Sequence, residues 1–118
     1  EVTYAEFKVL IDNGIALDAV IQVYFRDGLG NTLDSLVNNE AIVAAGAPVD
    51  SEGEVLQSQI TERYILFSSE RFQNLERAES AILKVCFSTL SNGSLPVKIR
   101  ADQETLIGIG VKAGVKSD

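Results

Sequence analysis

The chain has 118 residues, 46% of them hydrophobic and 23% charged, with a formal net charge of −7; this is the balance of one globular domain large enough to bury a core of its own. It contains no His, no Trp, no Met and a single Cys, Cys86, which excludes a His-based catalytic triad, a His-ligated zinc or haem and a disulfide framework. The net negative charge argues against nucleic acid as a partner, because such affinity rests on neutralised phosphates.

Period-two alternation of apolar residues is the strongest pattern in the chain and points to strands. Ala5, Phe7, Val9 and Ile11 alternate with Glu6, Lys8 and Leu10. Asp12-Asn13-Gly14 reads as a turn, since Asn and Gly tolerate positive φ. In the next strand Ala19, Ile21, Val23 and Phe25 share one face, and Asp18, Val20, Gln22, Tyr24 and Arg26 the other. Asp27-Gly28-Leu29-Gly30-Asn31 is a hairpin loop into a strand near 32–37. An apolar stretch over 41–45 ends at Gly46 and Pro48. Asp50-Ser51-Glu52-Gly53 makes another turn, followed by a strand over roughly 57–67.

One short helix is expected over about 70–77, capped by Ser69 and pinned to the core by Phe72 and Leu75. Ala81, Leu83, Val85, Phe87 and Thr89 then alternate with Lys84, Cys86 and Ser88. A Ser91-Asn92-Gly93-Ser94 hairpin leads to a strand over 97–101, and the last strand covers 105–113 with Ile107, Ile109 and Val111 inward. Seven to eight short strands with turn signals between them and no long helix predict an all-β fold, a single antiparallel β-sandwich (Ig-like) spanning 1–118.

No apolar run approaches the roughly 18 residues that span a bilayer, and no signal peptide is visible. The chain begins at Glu1 and lacks Met, so the expectation is a piece of a longer, exported protein.

Charge is uneven along the chain. Residues 1–59 carry ten acids and two cations, and residues 60–118 seven acids and eight cations. Lys84, Lys98, Arg100 and Lys112 fall at even positions of the last three predicted strands, whose apolar residues are odd. As neighbours, those strands would present one basic outward face. Asp27, Asn31 and Asp34, like Asp50, Glu52 and Glu54, crowd oxygen ligands of the kind calcium takes, but without the spacing of an EF-hand loop. Asp, Asn and Gly in those positions also serve simply to make hairpins. The expectation is therefore no metal site and no cofactor, with Asp27, Asn31 and Asp34 kept as the calcium alternative. Cys86 has no His as a base; Lys84, on the same side of its strand, is the one neighbour suited to stabilise a thiolate. The acids fall in turns, on polar strand faces or on the helix rather than inside apolar runs, so a hydrolase using an unfamiliar acid pair is only the alternative function.

Asn13–Leu17, Val20–Asp27, Gly30–Leu36, Val97–Gln103 and Leu106–Lys112 together resemble a family of β-sandwich domains in cell-envelope proteins and lipoproteins of Bacteroidetes bacteria. The opening strand–loop–strand rhythm is also similar to the group-14 Late Embryogenesis Abundant sandwich, which ranks second. The envelope resemblance implies export, an anchor or a larger region upstream, a place in the C-terminal part of the parent protein, and no known catalytic residues. The expected function is a non-catalytic envelope or surface domain with a structural, adhesion or binding role toward protein or glycan. The expected binding face is Tyr24 with Gln22 and Arg26, joined by Lys98 and Arg100. An exposed Tyr offers a flat apolar ring and a phenol end comfortable in water.

Overall fold

The computed structural model describes residues 2–38, 40–89 and 97–115. It is an all-β sandwich of two antiparallel sheets. The strands are β1 (Val2–Asn13), β2 (Asp18–Arg26), β3 (Thr32–Ser35), β4 (Ile42–Ala44), β5 (Gln59–Ser68), β6 (Ser80–Ser88) and β7 (Thr105–Val115). One helix, α1 (Ser69–Asn74), runs into a 3-10 turn, Leu75–Arg77. The first sheet has the order β5-β1-β7. In the second, β6 pairs with the whole of β2 along one edge, Asp18↔Ser88 to Arg26↔Ser80. On the other edge β4 pairs with Ala19–Ile21 and β3 with Tyr24–Arg26, end to end.

The registers carry the alternation of the sequence into space. Phe7 lies between Ile65 and Val111, and Ile11 between Thr61 and Ile107; Ile21 lies between Ile42 and Val85. Odd residues of β1, β2, β5, β6 and β7 therefore face inward, as the pattern predicts, while β4 turns its even residues Ile42 and Ala44 to the core. The central strands β1 and β2 bury Ala5, Val9, Ile11, Ala19 and Ile21 completely, together with Phe67, Ile42 and Ala44. Phe7 anchors the core through rings: its centroid is 4.9 Å from Phe67 and 6.2 Å from Phe25, both tilted.

β4 and β5 meet on one side of the sandwich, where α1 also packs against β1, β3 and β5. Phe72 and Leu75 do pack against the core from there. The helix begins one residue earlier than its sequence suggests. Ser68, not Ser69, is the N-cap; it is extended, and its Oγ accepts from the Arg71 N–H at 3.2 Å.

Two further expectations are corrected, and one falls outside the described residues. Residues 97–100 are not a strand. Lys98 N–H donates to the Gly53 carbonyl at 2.9 Å and Gln103 N–H to that of Arg100, so the segment follows the 50–54 turn instead of joining a sheet. The 91–94 hairpin lies outside the described residues. Asn13 belongs to β1 and is fully buried. Its amide donates to the Leu17 and Ala45 carbonyls at 2.8 and 3.1 Å and accepts from Ile15 N–H and Thr105 Oγ. Its role is to tie four segments together where β1 ends, since a buried amide must find partners. The turns at Asp27–Asn31 and Asp50–Glu54 form as expected, with Gly30 and Gly53 both at φ +84°, a backbone state that suits glycine.

Candidate functional site

Tyr24 lies on the outer face of the second sheet, half-buried, with Ser35 of β3 on one side and Ile82 of β6 on the other. It borders two adjoining shallow depressions. One, of about 490 Å³, is lined by Gln22, Tyr24, Ser35, Glu40 and Ala41. The other, of about 160 Å³, is lined by Val20, Gln22, Tyr24, Ala41, Lys84 and Cys86. Pleating explains the grouping: even residues of β2 and β6 share this face, with Gln22 opposite Lys84 and Val20 opposite Cys86.

Gln22 has a different job from the one its sequence position suggests. It is buried, and its Nε2 donates to the Val37 carbonyl at 2.8 Å and to that of Glu40, while its Oε1 accepts from Val37 N–H and Val23 N–H at 3.1 Å each. The amide pins Val37 and Glu40 against β2 and so builds the wall beside Tyr24. Arg26, at the end of β2, is half-buried, and its Nε has no hydrogen-bond partner among the described residues.

Lys98 and Arg100 are not brought to this face. Both engage Glu54: Lys98 Nζ at 3.3 Å, Arg100 Nε at 3.0 Å, and the Arg100 Nη2 as a further contact. They sit beside Gly53 in the loops near the start of β2, where Gly46 N–H donates to Asp18 Oδ1. Tyr24 is six residues further along the strand, ~20 Å at 3.3 Å per residue. The four-cation stripe therefore does not exist as one face, because 97–100 is loop. The cation that the neighbouring strand adds beside Tyr24, besides Arg26 on β2 itself, is Lys84, whose even position on β6 was the available signal.

The calcium candidates are committed to structure. Asp27 Oδ1 accepts from Leu29 N–H and Asn31 N–H at 2.9 Å each, closing the turn. The backbone N–H of Asn31 is the main reason the Asp27 carboxyl lies below its ordinary value of 3.8. Both Asp34 oxygens are taken by Arg71, at 3.0 and 3.1 Å, and that guanidinium also lies 3.8 Å from the centroid of the Phe67 ring. Among the described residues no group of three or more His, Cys, Asp or Glu side chains could hold a metal ion. Cys86 is exposed. One acid departs from the surface pattern expected of it: Asp18 is 2% exposed, held by the Gly46 N–H at 2.7 Å.

Glu54 is held below its ordinary value of 4.5, first by the Arg100 side-chain hydrogen bond and then by Lys98; Arg100 is correspondingly raised. Among the described residues no helix is long and apolar enough to cross a membrane. Set against family models, curated proteins and solved structures, the chain matches none of them.

Proposed function

We propose that this chain is a non-catalytic domain of the cell envelope or cell surface, exported as part of a longer protein, with an Ig-like arrangement of its sandwich and a structural, adhesive or binding role. Its binding face is the outer face of the second sheet around Tyr24, and its ligand is a protein or glycan surface. The observation that carries this reading is that one aromatic side chain borders two adjoining shallow depressions, flanked by Glu40, which the Gln22 amide holds, and by Lys84. A half-buried Tyr on a stiff central strand supplies a contact surface at low entropic cost, and shallow relief suits an extended ligand better than a small molecule. The two carboxyls with lowered pKa values, Asp27 and Glu54, are both stabilised as anions by donors. An acid-pair hydrolase pairs an ionised carboxylate with one held protonated, and neither of these two is the protonated partner.

The test is a glycan array and an envelope extract probed with wild type and Tyr24→Ala, with the fold checked by circular dichroism. Binding that falls at least tenfold on substitution supports the face. A ligand bound equally by both proteins removes it. The coding sequence upstream of Glu1 tests export separately, by the presence or absence of a signal peptide.

A further inference from the structure

The sandwich is closed on one side and open on the other. β4 and β5 meet on the closed side, so β6 and β7 are the outer strands of the opposite side, one from each sheet. Their odd residues face inward by register: Leu83 stands opposite Val23, Phe87 opposite Ala19, Ile109 opposite Val9 and Val111 opposite Phe7. Yet Leu83, Phe87 and Ile109 are 46–47% exposed and Val111 is 58% exposed. These are core positions left about half in water. Among the described residues β6 pairs with β2 and β7 with β1 alone, so the middle of each strand presents an unpaired backbone edge.

Natural edge strands are blunted by proline, by inward-pointing charge or by bulges. The edge at β5 follows that rule, with Arg63 at the inward position opposite Val9. β6 and β7 do not. Neither contains Pro or any Asp or Glu, and their only charges are Lys84 and Lys112, both on outward faces. The one register shift against β7 lies at its far end, between Val2 and Tyr4.

We propose that this side is the interface of a two-fold dimer, its occupant a second copy of the same chain. A two-fold axis perpendicular to both layers sets β7 antiparallel to its copy, and brings the β6 edges together as well, because both strands flank the same opening. An axis passing level with residue 109 or 110 keeps odd residues opposite odd residues, so the apolar inner faces of the two copies merge into one core.

Charge favours this side. Each chain carries −7 overall, and this is the side whose two strands contain no acid, so two anionic molecules meet here without carboxylates facing one another. The area is also sufficient. Strands of nine and eleven residues are ~30–36 Å long, and two layers ~10 Å apart with their outward side chains are ~20 Å thick, giving roughly 600 Å² per copy. The total of roughly 1,200 Å² reaches the lower bound of stable interfaces.

Sedimentation equilibrium under reducing conditions, which removes any disulfide through the exposed Cys86, is the test. Wild type is expected at twice 12.7 kDa at micromolar concentration. Ile109→Lys places a charge at the inward position on the free edge and is expected to be monomeric. The second variant, Gly108→Lys with Gly110→Lys, leaves the core alone, since a Cβ at either position meets nothing within 4 Å. It sets like charges opposite one another in either register and is expected to weaken the dimer at least tenfold while leaving the circular dichroism spectrum unchanged. A wild type that stays monomeric up to hundreds of micromolar overturns the proposal and leaves the opening to a strand of another sequence. A dimer that survives both variants overturns it too. Tyr24 neighbours β6 through Ile82 but lies on the outer face of the sheet, whereas the interface uses the strand edges and inner faces and has its own variants, so either reading can fail without the other.

Discussion

The two sides of this sandwich contrast sharply although their strands read alike. On the closed side, Phe67 of β5 and Ile42 and Ala44 of β4 are fully buried, with α1 laid over the junction. On the open side, Leu83, Phe87, Ile109 and Val111 occupy equivalent inward positions and remain about half in water. Alternation fixes which way a side chain points; burial further requires a layer on the other side of it. The closed side has that layer because the connections after β2 and β5 fold back as β3, β4 and α1. Segment 97–100, expected as a strand, lies along the 50–54 turn instead.

The contrast can be broken most directly with a pair of phenylalanines. Phe67→Ala removes a fully buried ring that touches Phe7 and Arg71, and is expected to cost about 3–5 kcal/mol in urea unfolding. Phe87→Ala, measured at concentrations where the chain is monomeric, is expected to cost about 1 kcal/mol or less, since nearly half of that ring is already solvated. Equal losses would mean that the two sides are packed alike.

A second test concerns the segments that close the structured side. Gln22→Ala leaves the Val37 N–H and the Val37 and Glu40 carbonyls without their partner. The expected loss is about 2 kcal/mol, the cost of stranding buried polar groups. Hydrogen exchange should quicken at Val37, while the amides of β6 stay as they were.

Arg71→Ala sharpens the comparison at the helix. Its guanidinium joins Asp34 of β3 to the Phe67 ring of β5. With both ionic side chains partly exposed, at 28% and 17%, screening limits the expected loss to about 1 kcal/mol in thermal or urea unfolding. The smallest effect is electrostatic and lies in the loops. Asp27 and Glu54 have folded pKa values below their ordinary ones, so each contributes stability that is present above its unfolded pKa and lost as pH falls through the folded value. The melting temperature is expected to hold from pH 7 to 5 and then decline below about 4.5, the ordinary Glu value. Glu54→Gln is expected to lower the neutral-pH value slightly and leave the acid value unchanged, which shallows that decline.

Much of this was legible in the residues. Odd positions of β1 and β2 face the core, the turns at Asp27–Asn31 and Asp50–Glu54 close with their own side chains, and Phe72 with Leu75 fastens the helix. At the candidate site, the outward position of Tyr24 was legible because parity alone put it outside. Its neighbours were not. Lys98 and Arg100 carry the same even-numbered alternation as Lys84, but Glu54, 44 and 46 residues away, captures both. Asn13 and Gln22 have the look of turn and surface residues, and become buried ties only once Leu17, Ala45 and Val37 fold over them.

The sequence by itself determined the class of object, a β-sandwich with its inward face written in period two, because side-chain direction in a strand is a local consequence of pleating. Only the tertiary structure decided which inward residues are covered, which cation stands beside Tyr24 and which polar groups are buried. Those outcomes depend on which strands become neighbours and where the connecting segments come to rest, and both are set by contacts between residues far apart in the chain.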